Sequence, residues 1–294
     1  MGDRILILGA TGMLGHTLLA RLAASGHEVY ATARSMSGLE QFFAPELMSN
    51  IIGNVDVDNF DTVIRAIAET KPDVVINCIG IIKQLPSAQD PITTINTNAL
   101  LPHRIAKLCQ AAGARMIHIS TDCVFDGVKG NYTEADESNA TDLYGRTKFL
   151  GEVAYPHTIT LRTSIIGHEL KSSFGLIDWF LAQSGKIRGF TKAIYTGFPT
   201  VEIAAIIDRY VLPKPELHGL WQVSSDPINK YELLKIVGNV YAKNIEIEPD
   251  ADFCLDRSLD SSRFREATGY HPPSWPQLVA AMHQEFLSFN YKQK

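Results

Sequence analysis

Along the first 165 residues, apolar positions alternate between unbroken runs and helical spacing. Arg4–Leu8 is a near-continuous aliphatic run, the pattern of a strand buried on both faces of a parallel sheet. Met13–Ala24 then sets Leu14, Leu18, Leu19 and Leu22 on one helical face, and Ser25-Gly26 ends it. Glu28–Ala33 predicts a second strand and Asn50–Val55 a third. Asn59–Thr70 carries Phe60, Val63, Ile64 and Ile67 at helical spacing and stops at Lys71-Pro72. Asp73–Ile79 predicts strand four, Asn98–Ala112 a helix closed by Gly113, and Arg115–Ser120 strand five. Leu143–Val153 predicts a further helix and Thr158–Arg162 strand six. Strands alternating with helices predict an α/β fold: a Rossmann-type doubly wound parallel sheet with right-handed crossovers.

After Ile166 this rhythm breaks. Segments become irregular, and Pro and Trp become frequent, with Trp179, Trp221 and Trp275 among them. The expectation is a dinucleotide-binding domain over residues 1–166 and a smaller, mainly substrate-binding C-terminal domain over 167–294. Thr196–Tyr210 and Gly219–Val223 are expected to return to the sheet. Neither an internal repeat nor a low-complexity segment is present.

Bulk properties narrow the classes. A chain of 294 residues is long enough for a sizeable core. The net charge of −5, with no basic run, argues against a nucleic-acid partner. No apolar stretch reaches the roughly 18–20 residues of a membrane span. The apolar start runs straight into a glycine-rich turn and lacks the features of a signal peptide. Cys78, Cys109, Cys123 and Cys254 form no CxxC pair and read as reduced thiols of a cytoplasmic protein.

Gly9-Ala10-Thr11-Gly12-Met13-Leu14-Gly15 lies between the first strand and the first helix. Glycines there allow a tight turn and let the backbone approach a pyrophosphate. The helix N-terminus adds N–H donors and a positive dipole end. A plain structural turn is the bland alternative, but the strand–turn–helix context disfavours it. Strand two ends in Ala31-Thr32-Ala33-Arg34-Ser35, a cation and a hydroxyl where an NAD enzyme carries an acid. That suits the 2′-phosphate of NADP(H), with NAD(H) use alongside it compatible. Arg34 can also be read as a solvated loop residue. Asp56, after strand three, is a candidate acceptor for the adenine amine, or a turn residue.

Tyr144 and Lys148 stand four apart at the start of a predicted helix, so both can face one cleft. An ammonium nearby favours the phenolate and moves the phenol pKa downward from about 10. The tyrosine can then protonate a carbonyl oxygen as hydride reaches the carbon. The spacing alone is common on helices. It gains weight about 135 residues after a dinucleotide turn. Thr121 ends strand five at its carboxyl edge, where open α/β sheets place ligands, and its hydroxyl can steady the developing oxyanion.

Together these features resemble the extended short-chain dehydrogenase/reductases. Ser120-Thr121-Asp122-Cys123-Val124-Phe125-Asp126-Gly127 and Tyr144-Gly145-Arg146-Thr147-Lys148-Phe149-Leu150-Gly151-Glu152 resemble, more narrowly, the dTDP-4-dehydrorhamnose reductase family. Asn77, Asn98-Ala99-Leu100-Leu101-Pro102, Phe198-Pro199-Thr200 and Arg257-Ser258-Leu259-Asp260-Ser261-Ser262 extend the likeness. It implies NADPH-dependent reduction of the 4-keto group of a nucleotide-linked 6-deoxy sugar, in deoxysugar or cell-surface polysaccharide synthesis. By position, Thr121, Tyr144 and Lys148 become catalytic. Asn77, Cys78, Gly80 and Asn98 join the cofactor site, with Asn98 fixing the helix or a water that supports Lys148. Asp122, Val124, Trp179 and Arg257 fall on the substrate side, and Arg257 meets the pyrophosphate. A homodimer is compatible with the family.

Departures are Cys123 for the usual Tyr, Arg146-Thr147 for Lys-Ser, and an atypical Arg162–Glu169 stretch. They bear on the sugar and the nucleotide, not on hydride chemistry. Relatives that dehydrate carry an acid pair after the Thr, and here Cys123 replaces the second acid. Epimerisation and a non-catalytic NADP-binding regulatory subunit remain rival readings. The nine histidines show no metal-ligand spacing. Cys123 lacks an evident base and reads as a buried thiol. Lys186, Arg188 and Lys192 either attract a pyrophosphate or form a solvated face.

Overall fold

The computed structural model describes residues 2–83, 86–289 and 291. Its first half runs β1 (Arg4–Leu8), α1 (Met13–Ala24), β2 (Glu28–Thr32), α2 (Pro45–Met48), β3 (Ile51–Ile52), α3 (Phe60–Thr70) and β4 (Val74–Asn77). Then follow α4 (Pro91–Thr94), α5 (Leu101–Ala112), β5 (Arg115–Thr121), α6 (Leu143–Leu150), β6 (Thr158–Thr163) and β7 (Ile165–Ile166). The second half runs α7 (Leu176–Ala182), β8 (Lys186–Tyr195), β9 (Phe198–Pro199), α8 (Thr200–Ile206) and β10 (Gly219–Gln222). It closes with β11 (Ile228–Asn229), α9 (Lys230–Val240), β12 (Glu246–Asp256), α10 (Ser262–Thr268) and α11 (Trp275–Ser288).

Seven strands form one parallel sheet in the order β10-β6-β5-β4-β1-β2-β3, the doubly wound arrangement the sequence predicts. The aliphatic run of β1 explains its central place. Ile5 and Ile7 enter the core beneath α1, α8 and α11, while Leu6 and Leu8 enter the opposite core beneath α3 and α5. All four are fully buried. Burying such a side chain stabilises the fold by about 1.5–3 kcal/mol, and β1 does so on both faces. α1 occupies the predicted residues. α5 ends at Gly113 in the left-handed conformation, φ +72°, which a side chain resists.

Three differences from the sequence reading have physical causes. The predicted helix over Asn98–Ala112 begins as α4, widens to a π-turn at Ile95–Leu100 and tightens again into α5. A single π-turn is too short a stretch for periodicity to reveal. The stretch after Ile166 is regular: α7, β8, α9, β12, α10 and α11 all lie in it. β8 and β12 pair in parallel, with β11 on the other side of β8, in a separate three-stranded sheet. Finally, of the two stretches expected to return to the main sheet, only Gly219–Gln222 joins it, beside β6. In the other, Phe198–Pro199 pairs with β7 alone and α8 packs on α1. No helix among the described residues is long and apolar enough to cross a membrane.

Candidate active site

The chain winds from β1 towards β2 and β3 on one side and towards β4 and β5 on the other. The crevice at this reversal is where open α/β sheets bind ligands. The glycine-rich turn sits there. Gly9 has φ +99°, and a Cβ on Gly15 would stand 1.9 Å from the Gly9 carbonyl oxygen. Gly9 donates its N–H to Thr32 Oγ1 at 3.2 Å, and Ala10 donates to the Thr32 carbonyl at 2.8 Å. Gly12, the residue before α1, supplies no side-chain cap, so the first N–H groups of the helix stay open to a ligand. Thr11 and Gly12 are exposed, Met13 half-buried, and Leu14 and Gly15 buried. This cradle fits a dinucleotide pyrophosphate. Arg34 and Ser35 are exposed at the end of β2. Among the described residues the Arg34 guanidinium has no hydrogen bond or ion pair, while Ser35 Oγ accepts the Ser37 N–H at 3.2 Å.

Asp56 takes the turn role. Its Oδ1 accepts the Asp58 N–H at 3.1 Å, closing an Asx turn before α3. Beside it, Val57, Asp58, Asn96, Thr97, Leu100 and Arg104 line a cavity of about 120 Å³. Asn77 is also committed to the protein. Its amide nitrogen meets His118 Nδ1 at 3.2 Å and its oxygen accepts the Ile79 N–H at 3.1 Å, which shapes the loop after β4. Burial pushes the Cys78 thiol up to about 12. Gly80 is exposed, and a Cβ there would lie 4.0 Å from Lys148 Nζ.

Asn98, on the π-turn, accepts the Ile81 N–H at 2.8 Å and donates to the Ile81 carbonyl at 3.0 Å. No direct bond joins it to Lys148 among the described residues. Instead Lys148 donates Nζ–H to the Ile119 carbonyl of β5 at 2.8 Å. A backbone acceptor on the neighbouring strand leaves no trace in a motif.

Thr121, the last residue of β5, caps a single 3-10 turn over Asp122–Val124. Its Oγ1 accepts the Cys123 N–H and donates to Asp122 Oδ1, both at 3.1 Å. Across from it, Asp142 caps α6 by accepting the Gly145 N–H at 2.9 Å. A Cβ on Gly145 would stand 2.2 Å from the Cys123 carbonyl, so its glycine lets α6 seat directly on the strand-five loop. Tyr144 and Lys148 lie one turn apart on α6, and the phenol reaches the Thr121 hydroxyl.

Electrostatics at this set revise one expectation. Burial pushes the Tyr144 phenol well above its ordinary value, reinforced by Cys123 and the Asp122 and Asp142 carboxylates. The hydrogen bond with Thr121 opposes this shift. The net direction is upward, opposite to the downward shift the sequence reading expects from Lys148, whose ammonium donates to the Ile119 carbonyl. The phenol therefore keeps its proton, the state an acid needs. Burial also pulls Lys148 down to about 8, with Glu152 one turn on opposing. Glu152 takes both oxygens to Arg162 at 2.7 Å and accepts Ser120 Oγ at 2.7 Å. This buried pair ties α6 to β5 and β6.

On the substrate side, Asp122 is buried and its carboxyl is raised by burial, with Arg257 opposing. Arg257 donates Nε–H to the Phe125 carbonyl at 2.7 Å and Nη1–H to Cys123 Sγ at 3.7 Å. Burial pushes the Cys123 thiol up to about 12. Val124 does not face the cleft. It is fully buried with Phe125, Tyr132 and Leu259 in a small core of its own. Trp179 is 40% exposed on α7 and shares no hydrogen bond or ring contact with Thr121, Tyr144 or Arg257 among the described residues. The Lys186–Arg188–Lys192 group is largely neutralised: Lys186 pairs with Glu246 and Glu248, and Arg188 with Asp250 at 2.8 Å.

Two lysines escaped the sequence reading. Lys83 lies 5.6 Å from the Tyr144 ring centre and pairs with Asp142 at 2.7 Å. Lys230, the first residue of α9, is lowered by burial and feels the charges of Asp122, Cys123 and Arg257. Neither belongs to a recognisable motif. Only the capping position of Asp142 carried a local signal. No group of three or more His, Cys, Asp or Glu side chains is gathered as a metal centre requires, among the described residues.

Comparison with known proteins adds to this geometry. Residues 3–187 match the family described as the RmlD substrate binding domain. A dTDP-4-dehydrorhamnose reductase of Mycolicibacterium smegmatis is 35% identical over 231 residues, which cover 72% of this chain and 63% of that protein. The matched stretch thus spans less than two thirds of that relative. The fold of a Bacillus anthracis dTDP-4-dehydrorhamnose reductase, solved in complex with NADP, superposes with a TM-score of 0.78 at 20% identity, covering 97% of this chain and 100% of that one. The Bordetella bronchiseptica enzyme WbmG, solved with NAD and UDP, superposes with a TM-score of 0.78 at 19% identity, covering 99% of this chain and 96% of that one.

Proposed function

Because the chain belongs to the RmlD substrate binding domain family, we propose that it is an NADPH-dependent reductase of the 4-keto group of a nucleotide-linked 6-deoxy sugar. The observation that carries this reading is the meeting of Thr121, Tyr144 and Lys148 at the sheet edge that also carries the Gly9–Gly15 turn. The relatives named for dTDP-4-dehydrorhamnose reduction support the substrate class.

When bound, NADPH supplies the hydride. The first turn of α1 and its glycines would hold the pyrophosphate, and Arg34 the 2′-phosphate. Lys148 would orient the nicotinamide ribose. Thr121 would turn its hydroxyl from Asp122 to donate towards the carbonyl oxygen of the sugar. Tyr144, kept protonated by burial, delivers its proton to that oxygen. Elimination is disfavoured, since a Cys123 thiol held at about 12 cannot replace the second acid of the dehydratases. Arg257 and Lys230 provide positive charge next to Asp122, where the diphosphate of the substrate would bind.

The test is NADPH oxidation with a panel of dTDP-, UDP- and GDP-linked 4-keto sugars. Turnover of at least one is expected. Turnover of none, alongside tight NADPH binding, would overturn the enzymatic reading in favour of a regulatory subunit. Arg34→Ala should weaken NADPH about 10- to 100-fold, the worth of a charge-assisted hydrogen bond, and leave NADH within about twofold. Equal losses for the two cofactors in a titration would remove Arg34 from the 2′-phosphate.

A further inference from the structure

We infer that Tyr291 and His16 form a positioning relay behind the dinucleotide turn: the Tyr291 hydroxyl fixes the His16 ring, which holds the Gly12 carbonyl and thereby sets cofactor affinity. This rests on the reading of Gly9–Gly15 as the cofactor cradle.

His16 lies in the first turns of α1 and is fully buried. Its Nδ1 is 2.8 Å from the Gly12 carbonyl oxygen, and its Nε2 is 2.6 Å from the Tyr291 hydroxyl. A carbonyl only accepts, so Nδ1 carries the proton. A neutral imidazole has one N–H, so Nε2 must accept, and Tyr291 must donate. Burial lowers His16 to about 4, which keeps the ring in this neutral form near pH 7. The hydroxyl of Tyr291 thus selects the tautomer that grips Gly12.

Gly12 is otherwise held only by backbone hydrogen bonds among the described residues. It carries no side chain, and its N–H bond to the Gly9 carbonyl is long, at 3.3 Å. Its carbonyl takes two donors from the same residue, the His16 backbone N–H at 3.2 Å and the ring Nδ1–H. Fixing this carbonyl fixes the peptide plane it shares with Met13, whose N–H is one of those left open at the head of α1. Tyr291 is itself held by rings: Phe289 at 5.0 Å, His168 at 5.2 Å and Phe286 at 5.6 Å. His168 is locked in turn between Asp178 at 2.7 Å and the Tyr241 hydroxyl at 2.8 Å. A hydrogen bond across 275 positions therefore joins the segment after α11 to the loop after β1. An apolar residue at position 16 would fill the space without burying polar groups. The polar chain ends on a carbonyl that shares its peptide plane with an open amide.

The experiment measures the NADPH dissociation constant by fluorescence titration, with kcat at saturating NADPH and the melting temperature of each variant. The wild type comes first: failure to bind NADPH there would sink the cofactor reading itself. Given binding, His16→Leu should weaken NADPH about 10-fold and Tyr291→Phe about 3- to 5-fold, as expected for lost buried hydrogen bonds. Kcat should stay within about twofold. The double variant should bind no worse than His16→Leu, because the relay is already broken. His16→Gln, with a donor and an acceptor on one side chain, should recover most of the affinity. Unchanged affinity in Tyr291→Phe, or additive losses in the double variant, would overturn the relay and leave a packing role. If His16→Leu fails to fold, Tyr291→Phe decides alone, since it keeps the ring and removes one oxygen.

Discussion

A Tyr144→Phe enzyme is expected to lose about 10²–10⁴ of its turnover, the usual worth of a positioned acid, while binding NADPH as tightly as the wild type. The ring remains, so its place on α6 above the strand-five loop is kept. Only the oxygen that meets Thr121 is removed. Burial and the neighbouring carboxylates hold the phenol above its ordinary value, so near pH 7 it is an acid with a proton to give and a poor base. Turnover by single-turnover NADPH oxidation and affinity by titration separate the two effects. Wild-type turnover in the variant would remove Tyr144 from the chemistry.

Lys148→Met should combine a large loss of activity with no loss of stability. Lys148 is 6% exposed, and burial draws its pKa from 10.5 to about 8. A folded value below the unfolded one means that the charge opposes folding. This cost is fully present below about pH 8 and disappears as pH rises from about 8 towards 10.5. Two to three pKa units correspond to about 3 kcal/mol. Removing the charge recovers this, less about 1–3 kcal/mol for leaving the Ile119 carbonyl without its donor. The melting temperature should therefore hold or rise, while turnover falls at least about 100-fold as the group that orients the ribose is lost. For the wild type the same shift gives a pH–rate profile that declines as pH rises through about 8, where Lys148 loses its charge. A flat profile to pH 10, or a Lys148→Met protein that melts well below the wild type, would contradict this assignment.

The sheet is legible because β1 is buried on both faces and cannot hide its aliphatic run, and because Gly113 ends α5 at a conformation only glycine takes readily. The second half is not, for a reason visible in β8 and β12. In Lys186-Ile187-Arg188 and Glu246-Ile247-Glu248 only single isoleucines alternate with paired charges, an apolar signal too short to mark a strand. α11 had its signature, Ser274 and Gln277 in a capping box, but it was obscured by the prolines before it. In the site, residue spacing pointed to Thr121, Tyr144 and Lys148, which the fold gathers at one sheet edge. It missed their partners where these are backbone atoms, as with Ile119 and Lys148. It named Asn77 and Asn98 for the cofactor site without showing that each also bonds a nearby loop. A motif records which residue types recur together, not which way a side chain turns.

The late return of β10 to the main sheet bears on how the molecule could be divided. β10 enters beside β6 only after β8 and β9 have formed outside that sheet, and the chain then leaves again for β11 and α9. A fragment ending at Ile166 would leave the outer side of β6 as a bare row of N–H and C=O groups. Such an edge recruits strands from other copies and drives aggregation. Light scattering should find that fragment associating at concentrations where the whole chain stays dispersed. The four residues Gly219–Gln222 thus act as a chaperoning flank for the seven-stranded sheet, and a single cut at Ile166 cannot separate the two halves cleanly.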